Sequence, residues 1–251
     1  MFVMTIDQRG STGGQDLVPD LLARIAALQP SGTEQTVFER TVGDEVQGVV
    51  PNPSVVVEIA LHALRFGRWY VGIGVGTVSL APGASPRQGT GTAFVAARKA
   101  VELAKAAGPQ VPLSVVPGIM AKTGGVPAGE GSQACANAEA VLRLLGRLVQ
   151  DRTEAQWRVV DALRRLDEGR LDGSRLGARS PGPGRHGSQK QVALELGISE
   201  QSVSRTVLRS GWQEEWAARP AAAMLLGFAN SQINGPLKDD RDADDPNEGD
   251  R

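Results

Sequence analysis

Between Trp69 and Val78 the chain alternates with a period of two: Val71, Ile73 and Val75 fall on one side, Gly72, Gly74 and Gly76 on the other. This is a strand with a bare face. Glycine weakens a strand, so three on one side imply that something approaches the backbone closely there. A bound ligand or partner would do so, and so would a tightly packed helix or neighbouring loop. The flanking segments supply the rest of a sheet. Met1–Ile6 is an apolar run closed by Asp7, and Thr36–Val50 reads as two short strands meeting at Gly43-Asp44, a dipeptide suited to a tight hairpin.

Helical spacing fills the gaps. Apolar positions 17, 18, 21, 22, 25 and 28 follow a 3.6-residue period, and two further helices are expected at about Ser54–Phe66 and Thr92–Ala107. Val111–Val116 reads as the last strand. The expected order is βαββαβ, the ferredoxin-like pattern of an α+β fold, over residues 1–131. Residues 118–131 read as a mobile loop. A connecting helix over 132–151 then leads into an all-α unit at 152–236, with a Gly/Pro/Arg-rich insert at 169–187. Residues 237–251 are acidic and too poor in apolar side chains to fold.

Composition narrows the function classes. Net charge is −1, so no whole-chain basic signature of nucleic-acid binding exists and any such signal is local. One cysteine, Cys135, excludes an internal disulfide and fits a reducing compartment. With His62 and His186 far apart and no second thiol, no zinc or histidine-based catalytic site can be assembled. Met1–Ile6 is too short for a signal-peptide core, and no run reaches the roughly 18 apolar residues of a membrane span. A soluble, cytoplasmic protein is expected, with no membrane partner.

The local basic signal lies in the all-α unit. Residues 152–211 hold eleven Lys/Arg against seven Asp/Glu, a surplus that the chain as a whole lacks. Within it, Ser188–Ser210 has helix-turn-helix spacing. Ala193 sits where two helices cross, Gly197 permits the turn, Ile198 plugs it, Ser199 caps the second helix, and Val203 and Val207 are its buried residues. Glu200, Gln201, Ser202, Ser204, Arg205 and Arg209 are then left outward on a recognition helix, with Gln189 on the preceding one. These are the candidate DNA contacts, and Arg170, Arg175, Arg179, Arg185 and His186 of the insert could follow the phosphate backbone. A three-helix bundle for dimerisation is the competing reading. A single unit grips one half-site weakly, so double-stranded DNA would be bound by a homodimer.

In the first unit, Asp7 and Asp44 end adjacent strands beside the small-residue loop Gly10-Ser11-Thr12. Such an arrangement suits a divalent metal, Mg²⁺ or Mn²⁺, carrying a phosphorylated ligand. Four stretches together then resemble a family: Ile6-Asp-Gln-Arg-Gly-Ser-Thr12, Thr41-Val-Gly-Asp44, Val71–Val78 and Ala96-Ala-Arg98 are similar, in order and spacing, to the class III nucleotide cyclase homology domain. Gly43-Asp-Glu-Val-Gln-Gly48 and the appended helix-turn-helix resemble SatD-like proteins of bacteria. The resemblance covers about residues 1–110.

It implies metal ligation by Asp7 and Asp44, and phosphate contacts from Gln8, Arg9, Gly10, Ser11 and Thr12. It also implies an arginine, Arg98, offered across a dimer interface, with which the bare glycine face is consistent. Two positions depart from the family pattern. Phe94 stands where the family has its transition-state asparagine, and Arg40 stands where it has a purine-selecting lysine. Losing one preorganised donor typically costs about 10²–10³ in rate. The expectation is a degenerate cyclase domain that senses a nucleotide or nucleotide second messenger for a DNA-binding end. A catalytically active cyclase or nucleotidyl transferase, and a bare dimerisation scaffold, are the alternatives.

Overall fold

The computed structural model describes residues 1–10, 13–28, 36–81, 83–118, 128–171 and 186–235. The fold is mixed α+β. Five strands form one sheet: β1 (Phe2–Gln8), β2 (Phe38–Arg40), β3 (Glu45–Val50), β4 (Trp69–Val75) and β5 (Leu113–Pro117), in the spatial order β2-β3-β1-β4-β5. β1 is antiparallel to both β3 and β4, and β2 pairs with β3 through the expected hairpin. Gly43 holds φ 63° in that turn, which its missing side chain allows.

β5 is parallel to β4. A parallel pair needs a crossover, and α3 (Thr92–Lys105) supplies it. The helix expected at Thr92–Ala107 and the last strand expected at Val111–Val116 are both present, one helix–strand unit more than the label βαββαβ names. The exposed edge of β5 is covered by α4 (Ala128–Gln150): the Val115 N–H and Ser114 hydroxyl both donate to Glu139, and Arg143 Nε donates to the Leu113 carbonyl.

Strand alternation sends Phe2, Met4 and Ile6 of β1 into the main core. There they meet α1 (Val18–Ala27) and α2 (Pro53–Arg65), together with α4 and the last turns of α8 (Trp212–Asn234). Asn52 caps α2 by accepting from the Ser54 N–H, with Pro53 pre-set for the first turn. On the opposite face Val3 packs against Ala93 and Ala97 of α3.

The glycine face is therefore covered by the chain's own helix. A methyl carbon on Gly72, Gly74 or Gly76 would lie closer than 3.0 Å to atoms of α3, among them Val101 N, Ala93 O and Thr92 Oγ1 respectively. The alanines of α3 are the matching thin surface. This corrects the link drawn between the bare strand face and a dimer interface: the close approach is intramolecular.

A second cluster joins Val160 and Leu163 of α5 (Glu154–Leu171), Val192 and Ala193 of α6 (His186–Leu196), Val203 and Val207 of α7 (Glu200–Arg209), and Trp212. α8 begins in this cluster and ends, through Ala222, Leu226 and Ala229, in the sheet's core. The boundary placed at residue 152 from the sequence thus separates helices that share one long element. Among the described residues no helix is long and apolar enough to cross a membrane. The middle of the basic insert, the greater part of the 118–131 loop and the acidic tail from 237 lie outside the described residues.

Candidate functional site

Asp7 and Asp44 do lie at adjacent strand ends, since Asp7 pairs in register with Glu45. Their surroundings differ. Asp7 is buried on the α3 side of the sheet, and Lys105 Nζ lies 2.6 Å from its carboxylate and 3.0 Å from Glu102. Burial raises the Asp7 pKa, Lys105 offsets this in part, and the charges of Asp44 and Glu102 add to the rise. For Lys105 burial works against the charge, but Asp7 and Glu102 outweigh it and the pKa is raised. The two directions agree, because Lys105 is held by two acids, Asp7 and Glu102, while Asp7 has the further charges of Asp44 and Glu102 beside it.

Asp44 instead lines a cavity of about 320 Å³ with Gln8, Gln15, Asp16 and Arg40. Here Arg40 pairs with Asp16 at 2.5 Å, and this hydrogen bond, with a second from the Val18 N–H, lowers the Asp16 pKa. Two carboxylates against one guanidinium leave the cavity acidic, so a phosphate entering alone meets net repulsion.

The loop after β1 is occupied by internal bonds rather than held open. Gln8 is buried, donates to the Gln15 carbonyl at 2.7 Å and accepts from the Leu17 N–H at 2.9 Å, which ties the start of α1 to the sheet. The Gln8 N–H donates to the Asp44 carbonyl and the Arg9 N–H to that of Arg68. Those two amides are therefore not offered to a phosphate as expected. Arg9 lies over the Tyr70 ring at 5.0 Å. Gly10 has φ 65° and open space where a side chain would begin. Ser11 and Thr12 lie outside the described residues.

Arg98 is exposed on α3, across the sheet from the Asp44 cavity, and does not line it. Phe94, one turn earlier, packs against the cluster of Val3, Ala93 and Ala97 and closes over Gly89.

The donor set for a divalent ion is thin. Among the described residues no group of three or more His, Cys, Asp or Glu side chains is assembled. Asp7 already faces a lysine, and Asp16 an arginine. Two committed carboxylates do not make a metal centre by themselves, because Mg²⁺ asks for a near-ideal octahedron of oxygens. Asp44 forms no ion pair with a described residue, so an ion beside it would take most of its oxygens from a ligand that arrives with it.

At the other end of the chain the outward residues stand as expected. α6 and α7 are joined by three residues, with Gly197 at φ 64° and the Ile198 N–H donating to the Ala193 carbonyl at 3.0 Å. The Ser199 hydroxyl accepts from the Ser202 N–H, capping α7. Val203 and Val207 are buried, and Glu200, Gln201, Ser202, Ser204, Arg205 and Arg209 are exposed. Gln189 is half-buried on α6. Ile198 departs from its expected role: it is 38% exposed and does not plug the turn.

Sequence reasoning missed the residues that join the two ends. Glu58 of α2 binds both Arg164 of α5 and Arg219 of α8, and Arg65 forms a two-bond pair with Asp161 at 2.8 and 2.6 Å. His62 lies between these positions on α2. Burial lowers its pKa to about 4, helped by Arg24, Arg65 and Arg164. A histidine held neutral when folded costs stability once the unfolded chain can protonate. Its contribution is complete above the unfolded pKa near 6.5 and is lost as pH falls toward about 4. Chemical denaturation of wild type is expected to show about 2–3 kcal/mol of this loss by about pH 4.5. His62→Leu should lose less over the same range, and equal losses would rule out His62 as the source. No family model, curated protein or solved structure matches the chain.

Proposed function

We propose that the chain is a cytoplasmic, homodimeric DNA-binding transcription regulator whose sheet unit is a degenerate, nucleotide-cyclase-like sensor. The observation that carries the proposal is α7. It turns six polar side chains to solvent while anchoring itself through Val203 and Val207, and it follows a three-residue turn opened by a left-handed Gly197. That is the arrangement a helix-turn-helix uses to lay its second helix in the major groove. For the sheet unit, the order β2-β3-β1-β4 with every pair antiparallel supports a ferredoxin-like reading, since a βαββαβ chain closes that way.

The ligand of the sensor, in this reading, is a nucleotide or nucleotide-derived second messenger. It would bring Mg²⁺ or Mn²⁺ with it to the acidic cavity of Asp44. Glu58 and Arg65 then give such a sensor a route to the DNA-binding end, because both ion-pair with helices beyond residue 152. A ligand that favours one arrangement of these helices shifts operator affinity by its differential binding.

Two measurements test this. Arg205→Ala should weaken binding to a selected operator about 10- to 100-fold, as loss of one base-reading arginine does, with non-specific binding much less affected. Unchanged operator affinity would remove α7 from the interface. A thermal-shift panel of nucleotides and cyclic dinucleotides, with and without Mg²⁺ or Mn²⁺, should give a metal-dependent hit that is lost in Asp44→Ala. A cyclic product formed by wild type and absent from that variant would replace the sensor with an enzyme.

A further inference from the structure

A second cavity, of about 210 Å³, lies between α1 and the junction of α2 with β4, away from Asp44. Its walls are of two kinds. Phe66 and Trp69 supply aromatic surface, while Arg24, Arg68, His62 and Asp20 supply polar groups. Two guanidinium groups against one carboxylate make the lining cationic. The Arg24 guanidinium stacks over the Phe66 ring at 4.9 Å, which holds the charge beside the aromatic wall at the mouth of the cavity, where both side chains remain exposed.

His62 adds the decisive observation. Its Nε2 is buried and, among the described residues, has no hydrogen-bond partner. Leaving a buried polar atom unsatisfied costs the full desolvation of that atom, so native structures rarely do it without a reason. The surrounding arginines also keep the imidazole neutral. An anion seated beside them would supply the missing partner and balance the charge. The volume is roughly seven waters' worth, at ~30 Å³ each, enough for one small ring with one charged substituent.

We infer that this cavity binds a small aromatic carboxylate, with its ring against Phe66 and Trp69 and its carboxylate toward Arg24, Arg68 and His62. Size excludes a nucleotide, so the site is separate from the sensor cavity proposed above. It does sit on α2, the helix whose Glu58 and Arg65 grip α5 and α8.

Isothermal titration of the full chain with benzoate, salicylate, benzamidine and inorganic phosphate tests the assignment without any DNA. Failure of the DNA-binding reading would leave this result untouched, and the reverse holds too. Benzoate or salicylate should bind with a Kd of about 1 mM or tighter, a modest demand for a ligand of that size. Binding should shift the His62 imidazole resonances and fall at least about tenfold in Arg24→Gln. Arg68→Gln, at an exposed position, gives the same test should the first variant fold poorly. Benzamidine, of the same shape but opposite charge, should not compete. Equal binding of benzamidine, binding of phosphate as tight as benzoate, indifference to both arginine variants, or no binding of either carboxylate would each overturn the assignment.

Discussion

Replacing Gly74 by alanine is expected to cost the protein about 3 kcal/mol or more, measured as a lower urea midpoint. Strand propensity alone argues the other way, since glycine is among the poorest residues in a strand interior. Geometry decides. The new methyl would stand closer than 3.0 Å to Ala93 O and Ala97 N, which are backbone atoms of α3 and cannot move aside by changing rotamer. Either α3 lifts from the sheet, exposing Ala93 and Ala97, or β4 bends away from β1. Overpacking of well-filled cores typically costs about 1–3 kcal/mol, and a clash with helix backbone belongs at or beyond the upper end. Gly129→Ala is the control, because nothing lies within 4 Å of its added carbon. That change should be neutral or stabilising by up to about 1 kcal/mol, the usual effect of removing a helical glycine. An unchanged midpoint for Gly74→Ala would mean that α3 does not lie on the glycine face.

The same strand shows how far the sequence could be read. Its alternation was legible, and so was the conclusion that something comes close to the glycines. What comes close was not, because a helix twenty residues later and a partner subunit leave the same local signature. The hairpin at Gly43-Asp44, the α1 and α2 periods and the capping serine of α7 were legible for a simpler reason: each depends on residues near one another in the chain. The candidate site was legible only as positions. That Lys105 would neutralise Asp7, or that Gln8 would spend both ends of its amide on the start of α1, depends on how the sheet face is covered, and no local pattern encodes that. Ile198 fits a spacing template yet stays exposed, since α5 and α8 fill the second core without it. α8 falls within the span expected to be all-α, whereas its division between two cores follows from tertiary packing alone.

Glu215→Leu is expected to destabilise the chain more than Arg152→Met, although the two residues pair with each other. Both side chains are 1% exposed, and Arg152 Nη1 lies 3.0 Å from Glu215 Oε2. Breaking a buried pair from one side typically costs about 3–5 kcal/mol, because the survivor keeps its desolvation penalty. The cluster around this pair makes the two sides unequal. Among the described residues, Arg152, Arg164 and Arg219 pair with only two acids, Glu58 and Glu215, with Glu215 bound to Arg152 and Arg219 and Glu58 to Arg164 and Arg219. Arginines outnumber acids, so the acids are the scarce partners.

Burial lowers the Arg152 pKa, with Arg219 and Arg164 opposing its charge as well, so this guanidinium is the strained member. Burial also acts against Arg219, but Glu58 and Glu215 outweigh it and raise its pKa. Removing Arg152 leaves two arginines for two acids and loses one bond to the Ser210 carbonyl, so about 1–2 kcal/mol is expected. Removing Glu215 leaves three arginines around one acid, at about 3–5 kcal/mol. The double variant should recover part of the Glu215→Leu loss, because it restores two arginines to one acid in place of three. Urea denaturation of the three variants gives the comparison, and a larger loss for Arg152→Met than for Glu215→Leu would show that the cluster is not short of acid. The same series reports on the link between the two ends of the molecule: α8 is fastened to α2 through Arg219 and Glu58, so Glu215→Leu should loosen the grip by which the sheet unit holds the helices around α7.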